Sequence, residues 1–139
     1  MTDDRPVKEL GELALRVENL DEMTEFYRDV VGLEVLRRFD DCTFFRLREG
    51  YGGHTQIVAL FDRAGGDEYV PPDPARTTVD HFAFTIDLAD FETERDRLES
   101  LGIELDFATH EWVSWRSLYF SDPEENRVEF VCYDESVGE

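Results

Sequence analysis

The sequence is short of lysine, and basic residues of any kind are few. Lys8 is the only lysine among 14 basic residues, whereas 34 residues are acidic, which gives a formal net charge of −20. A protein that binds a polyanion needs a basic footprint, so this balance argues against nucleic acid as a partner. Long apolar runs are also missing, and the charged N-terminus does not resemble a signal peptide. We therefore expect no membrane partner.

Cysteine is scarce as well. Cys42 and Cys132 are too few for a disulfide framework or a zinc knuckle. We expect both thiols to be reduced and the protein to be cytoplasmic. The 139 residues, of which 41% are hydrophobic and 13% aromatic, suffice for one domain with a buried core. That apolar content also argues against disorder.

The acidic residues are spread along the chain and not gathered in a tail. This distribution is typical of proteins from salt-loving cells. In molar salt the Debye length falls to about 3 Å, which removes most repulsion between exposed carboxylates. The charge therefore predicts a halophilic habitat and says little about mechanism.

The order of predicted elements in the first half is βαβββ. Residues 11–17 alternate between apolar and polar, as in a strand with one buried face. Asp21 is the predicted cap of a helix with apolar residues at helical spacing, and Gly32 is its predicted C-terminal stop. The three strands that follow are predicted near residues 33–39, 42–48 and 56–61.

The same order returns after a stretch rich in glycine and proline. Residues 63–78 are predicted to be a linker between a first module, 9–62, and a second module, 79–133, within one domain over residues 9–133. In the second module we expect a strand over residues 79–86, a helix marked by apolar residues at positions 91, 98 and 101, and strands near 103–107 and 113–120.

A hairpin is predicted to close the second module. Asp122-Pro123 favours a turn, and Asn126 tolerates the left-handed conformation that reverses the chain. In the strand after the turn, Glu129 points to the face opposite its apolar neighbours Val128 and Phe130.

The internal repeat predicts which side chains converge. Glu12 corresponds to His81 at a shift of 69 residues, and Ala59 corresponds to Glu129 at a shift of 70. The neighbours of these four residues are mostly apolar, so the four are expected to share the face of the sheet that points away from the helices. Glu12, His81 and Glu129 would then provide two carboxylates and an imidazole. Such a set binds a divalent cation and leaves coordination sites for substrate.

The chain resembles the vicinal oxygen chelate superfamily, which includes glyoxalase I, extradiol dioxygenases, fosfomycin-modifying enzymes and bleomycin-binding proteins. The resemblance extends from about residue 9 to 133. The stretches that carry it are Leu13-Ala14-Leu15-Arg16-Val17, Phe26-Tyr27-Arg28-Asp29 through Gly32-Leu33, Asp80-His81-Phe82-Ala83-Phe84, and Tyr119-Phe120-Ser121-Asp122-Pro123 with Asn126-Arg127-Val128-Glu129. It implies an α+β glyoxalase-like fold, in which two βαβββ modules form a curled, mixed sheet cup with the helices outside.

The resemblance also assigns roles to the converging residues. His81 and Glu129 occupy positions of the family's metal ligands, and Glu12 occupies a position that is most often histidine. Glyoxalases and related epimerases place a fourth ligand where this chain has Ala59. Dioxygenases and fosfomycin enzymes place none there, so Ala59 counts against a glyoxalase.

A second resemblance favours oxygen chemistry. Extradiol dioxygenases carry a histidine, a tyrosine, Asp-Pro and the metal-binding glutamate at near-fixed spacing, which His110, Tyr119, Asp122-Pro123 and Glu129 match. Ala108 and Glu125 depart from that pattern. By this resemblance, His110 is the predicted acid/base and Tyr119 the predicted hydrogen-bond donor to a developing oxyanion.

These observations favour a divalent-metal enzyme that chelates two neighbouring oxygens of a small-molecule substrate. An extradiol-type dioxygenase with Fe(II) or Mn(II) is the leading interpretation. One alternative is a glyoxalase-like lyase or isomerase with Zn(II) or Ni(II). The other is a metal-free protein that holds an aromatic compound between Trp112, Trp115 and phenylalanine side chains. Because modules can pair across two chains, a homodimer is the expected assembly.

Overall fold

The computed structural model describes residues 5–65 and 78–138, and the chain divides into two compact units, Met1–Pro71 and Pro72–Glu139. The first unit begins with strand β1 and helix α1, which continues into a π-helical segment, Phe26–Val31. Three further strands follow. The bounds are β1 (Glu12–Val17), α1 (Leu20–Glu25), β2 (Glu34–Arg38), β3 (Cys42–Glu49) and β4 (Thr55–Asp62).

The second unit repeats this order. A 3₁₀ turn precedes its helix, and a second one, Glu111–Val113, joins two of its strands. The bounds are β5 (Phe82–Thr85), α2 (Phe91–Ser100), β6 (Asp106–His110), β7 (Trp115–Ser121) and β8 (Arg127–Tyr133). Each unit is therefore a βαβββ module, and the predicted α+β class is confirmed.

Each unit contains one four-stranded mixed sheet, and the two sheets have the same topology. Their strand orders are β1-β4-β3-β2 and β5-β8-β7-β6, with the first pair parallel and the others antiparallel. The registers also correspond. Ala59 lies between Ala14 and Phe44, whereas Glu129 lies between Ala83 and Tyr119. The repeat that the sequence predicts is thus present in the backbone pairing.

One face of each sheet is apolar and covered by the helix of its own unit. Side chains alternate between the two faces of a strand, so every second residue joins this core. In the first unit Met23 and Tyr27 are buried together with Val17, Phe45, Val58 and Leu60. In the second unit the core consists of Phe91, Leu98, Leu118, Phe120, Val128 and Phe130. In the second sheet the opposite face carries the polar residues Ser117, Tyr119 and Glu129.

Two turn predictions were wrong by one or two residues. Asn19, not Asp21, caps α1, because its Oδ1 accepts the N–H of Glu22 at 3.0 Å. In the closing hairpin Glu125 has the left-handed conformation (φ 68°), whereas Asn126 was expected to. The backbone N–H of Asn126 donates to Oδ1 of Asp122 and its side-chain amide donates to Oδ2.

Strand and helix bounds in the second unit also differ from expectation. Strands β6 and β7 begin a few residues later than predicted, at Asp106 and Trp115, although α2 lies where it was expected. Leu101 was expected on the apolar face of this helix but is exposed past its end. The predicted linker falls mostly outside the described residues, so the module boundaries remain predictions. Within the described part, no helix combines the length and apolarity needed to cross a membrane.

Candidate metal centre

His81 and Glu129 meet on the polar face of the second sheet. His81 directly precedes β5, which pairs in parallel with β8, and the two side chains lie on the same face. Nε2 of His81 lies 3.0 Å from Oε1 of Glu129. Glu129 is only 5% exposed, although it is a carboxylate. A carboxylate so buried must be compensated by a hydrogen bond, a positive charge or a cation.

Asp80 orients His81 from behind. Its Oδ1 lies 2.6 Å from Nδ1 of His81, so each ring nitrogen faces a carboxylate oxygen. When Nδ1–H donates to Asp80, the lone pair of Nε2 points at Oε1 of Glu129. Two acceptors at this distance need a proton or a cation to join them. A histidine whose second nitrogen is held by a carboxylate is the usual arrangement at metal sites.

Ser117 fixes the other oxygen of Glu129. Its hydroxyl donates to Oε2 of Glu129 at 2.6 Å, from the neighbouring strand β7. Ser117 is fully buried. Oε1 is therefore the oxygen that remains directed at His81. The nitrogen and carboxylate donors, each held by a hydrogen bond from behind, fit a divalent cation.

Tyr119 and His110 extend this cluster along the same face. Nε2 of His110 lies 3.1 Å from the Tyr119 hydroxyl, and the Tyr119 ring packs edge-on against the His81 ring at 5.9 Å between centroids. Burial raises the pKa of Tyr119, and the negative charge of Glu129 raises it further. The hydroxyl therefore keeps its proton at neutral pH and can serve as a hydrogen-bond donor.

A positive charge also lies on this face. The Arg127 guanidinium stacks over the Tyr119 ring at 4.6 Å from its centroid, and it lies 3.4 Å from Oδ2 of Asp106. A partly exposed guanidinium beside the phenol offers planar hydrogen-bond donors to an anionic substrate group.

In the first unit, Glu12 and Ala59 lie on the sheet face opposite the apolar core. Glu12 of β1 pairs with Ile57 of β4, and in the same register Ala14 pairs with Ala59. Glu12 is exposed, and Ala59 is fully buried without any atom that could bind a metal. Across residues 5–65 and 78–138 no three His, Cys, Asp or Glu side chains are grouped as metal ligands. The role of Glu12 as third ligand stays a prediction.

Sequence reasoning missed two residues that support the pair. Asp80 carried no assigned role, although it directly precedes the predicted ligand His81. Ser117 shares the parity of Tyr119 on β7, so it belongs to the same face as Glu129. Parity alone could have placed Ser117 on this face. Its contact with Glu129 depends on the β7–β8 register, which the sequence does not specify closely enough.

Comparison with known proteins agrees with the fold. The sequence is 28% identical over 127 residues to the glutathione transferase FosA of Serratia marcescens, covering 88% of this chain and 79% of that protein. The crystal structure of a lactoylglutathione lyase from Agrobacterium tumefaciens is 29% identical, with a TM-score of 0.65 over 92% of this chain and 96% of that chain.

A more distant solved structure shares the fold. It is a mutant of the fosfomycin resistance protein FosX from Listeria monocytogenes, complexed with Mn(II) and 1S,2S-dihydroxypropylphosphonic acid. It is 21% identical, with a TM-score of 0.64 over 89% of each chain. The family match itself covers residues 9–130. The chain therefore belongs to the Glyoxalase/Bleomycin resistance protein/Dioxygenase superfamily.

Proposed function

We propose that this protein is a divalent-metal enzyme that binds two neighbouring oxygens of a small anionic substrate. The observation that carries the proposal is the 3.0 Å approach of His81 Nε2 to Glu129 Oε1, with Asp80 and Ser117 holding the two side chains from behind. Glu12 is the proposed third ligand, at the position equivalent to His81 in the first module. Mn(II) or Fe(II) are the preferred ions for such a set of nitrogen and oxygen donors.

A bound cation would act as a Lewis acid on the substrate oxygens. The residues around it have separate tasks. Ser117 and Asp80 keep the two ligand side chains in place. Tyr119 donates a hydrogen bond to an oxygen that gains negative charge, and Arg127 offsets the charge of the substrate.

His110 is the proposed proton carrier. Its Nε2 already contacts the Tyr119 hydroxyl, so a proton lost or gained by the substrate can pass between these two groups. His110 also ends β6, where it is half-buried and reachable from solvent.

Opening of the epoxide ring of a phosphonate such as fosfomycin is the leading reaction. A thiol or water would form a bond to one ring carbon as the bond from that carbon to the ring oxygen breaks, and the proton lost by the nucleophile would be balanced by one taken up at that oxygen. The similarity to FosA, named as a glutathione transferase, supports this reaction, as does the phosphonate bound in the FosX structure. Ala59 also fits, since its methyl side chain supplies no fourth ligand. The same feature counts against the glyoxalase alternative, because the family's lyases use that fourth ligand.

Extradiol cleavage of a catechol is the second candidate, and the His110–Tyr119 contact favours it. The resemblance to the dioxygenase pattern assigned an acid/base role to His110 and a donor role to Tyr119, and Nε2 of His110 lies 3.1 Å from the Tyr119 hydroxyl. A three-ligand site also leaves room for both catechol oxygens and dioxygen. Cytoplasmic location, a homodimer and adaptation to salt remain predictions.

Metal titration and parallel assays test the proposal. The purified chain should bind one Mn(II) or Fe(II), and His81→Ala should abolish this binding while exposed His54→Ala leaves it unchanged. With metal, the enzyme should consume a thiol in the presence of fosfomycin, or consume oxygen in the presence of a catechol. His110→Ala should slow the active reaction roughly 10²–10⁴-fold without loss of metal. Equal metal affinity in His81→Ala and the wild type would overturn the proposal.

A further inference from the structure

A row of aromatic side chains runs from the metal-site pair to the surface of the second unit. His110, Trp115 and Tyr133 lie side by side on strands β6, β7 and β8, since Trp115 pairs with both of the others. The Trp115 ring contacts the His110 ring at 6.4 Å between centroids and the Trp112 ring at the same distance. His110 in turn reaches Tyr119, which packs against His81.

The outer end of this row is open to solvent. Trp112 is 74% exposed, Tyr133 61% and Trp115 42%. We call these three residues the aromatic shelf. Large rings are usually buried because their contact with water is unfavourable, so three exposed rings on one face indicate a surface that a ligand covers.

The shelf is held in place by backbone hydrogen bonds. Trp112 lies in the turn between β6 and β7, which ends at Ser114 in a left-handed conformation (φ 58°). The N–H of Ser114 donates to the carbonyl of Glu111, and the carbonyl of Ser114 accepts the N–H of Asp134 at 2.8 Å. The backbone of Trp112 therefore belongs to a turn that is tied by a hydrogen bond to the residue after β8.

We propose that the aromatic shelf binds a planar ring of the substrate whose oxygens are bound at His81 and Glu129. This inference rests on the proposed function and adds a substrate class to it. Trp115 and Tyr119 are four residues apart on β7, which corresponds to about 13 Å along the strand. The ring therefore belongs to a group attached beyond the oxygen-bearing end of the ligand.

A second copy of the chain is a poorer occupant. The shelf covers one turn and two neighbouring strands, about 10 Å across, whereas a stable protein interface covers about 800 Å² on each partner. A small ring does not need an interface of that size.

Both tryptophans of the chain lie on the shelf, so tryptophan fluorescence reports directly on it. The probes are 4-phenylbutylphosphonate and butylphosphonate, which differ only by the ring. They are titrated into the full chain in multimolar KCl, with Mn(II) and after chelation. We expect the phenyl probe to change the tryptophan emission and to bind more tightly, whereas butylphosphonate leaves the emission unchanged.

Variants locate the effect. Trp112→Leu and Trp115→Leu should each weaken binding of the phenyl probe, measured by calorimetry, by roughly 2- to 12-fold. Neither should alter binding of butylphosphonate. Phe107→Leu is the matched control, because Phe107 is also an exposed ring but lies on the opposite face of β6.

The outcomes separate the shelf from the metal site. If the two probes bind equally while Mn(II) still binds, the proposal that the shelf binds a ring is overturned and the proposed function is left intact. Ring binding that persists in a protein unable to bind Mn(II) would support the shelf and contradict the proposed function. A loss in Phe107→Leu equal to that in Trp115→Leu would overturn the shelf. The proposal would also be overturned if the free protein self-associates in sedimentation and Trp112→Leu abolishes that self-association.

Discussion

The hydroxyl of Ser117 donates to Oε2 of Glu129 at 2.6 Å, from one strand to the next. This bond leaves Oε1 directed at His81. A hydroxyl that orients a ligating carboxylate contributes to metal affinity although it never touches the metal.

Ser117→Ala is therefore expected to weaken Mn(II) binding by roughly 10- to 100-fold, measured by calorimetry. Ser121→Ala is the matched control, because Ser121 lies on the same strand but is exposed at its end. Thermal unfolding of the metal-free proteins separates a general loss of stability from a loss of affinity. Unchanged affinity in Ser117→Ala, with or without a lower unfolding temperature, would show that Ser117 has no role in orienting the carboxylate.

The His81–Glu129 pair could be predicted because its position depends on two patterns in the sequence. The period of two in a strand decides the face, and the repeat at a shift of 69 to 70 residues decides which strands correspond. The parallel pairing of β5 with β8 then brings both residues to one place. The same signals hold for Glu12 and Ala59 within the first sheet.

The contacts that the sequence could not predict depend on distances between atoms, and not on which face of a strand a residue occupies. The hydrogen bond from Ser117 requires the register between β7 and β8, and the contact of Asp80 with His81 requires a particular rotamer. The left-handed residue in the closing hairpin also escaped prediction. Propensity favours Asn126 there, but the hydrogen bonds to Asp122 decide, and Glu125 takes that conformation.

Helix α1 and strand β3 share a hydrogen bond inside the core of the first unit. The hydroxyls of Thr24 and Thr43 lie 2.8 Å apart, and both residues are buried. Replacing one of them with valine keeps the shape but leaves the other hydroxyl without its partner. Thr24→Val or Thr43→Val alone should therefore lower the free energy of unfolding by about 1–3 kcal/mol.

The double variant Thr24→Val, Thr43→Val should be more stable than the less stable single variant, because no polar group is then left unpaired. Denaturant unfolding of all four proteins in the same salt measures the coupling. Strictly additive losses would show that the two hydroxyls contribute independently.

Asp134, which follows β8, makes the stability of the fold depend on pH in the acid range. The Ser136 hydroxyl donates to its Oδ1 at 2.7 Å and the Ser136 N–H donates to the same oxygen at 3.0 Å. The side-chain hydrogen bond lowers the pKa of Asp134 most, and the backbone hydrogen bond lowers it further. Since the folded pKa lies below the ordinary value of 3.8, the stabilisation is present above that value and is lost as the pH falls through the folded pKa.

Ser136→Ala should therefore be less stable than the wild type near neutral pH, and the difference should shrink as the pH falls below about 4. Thermal unfolding across this range, at constant high salt, provides the measurement. Ser100→Ala is the control, since the Ser100 hydroxyl donates to a backbone carbonyl and no carboxylate is involved. A stability difference for Ser136→Ala that does not change with pH would refute the linkage.

The net charge of −20 should make stability depend on salt. At about 0.1 M salt the Debye length is about 10 Å, so exposed carboxylates still repel one another, and near 1 M it falls to about 3 Å. Thermal unfolding should therefore shift to higher temperature with KCl, with most of the gain below about 1 M. Sucrose, which is excluded from protein surfaces but does not screen charge, is the control and should give a smaller gain at matched water activity. Equal unfolding temperatures in dilute buffer and in multimolar KCl would contradict the prediction that this chain is adapted to salt.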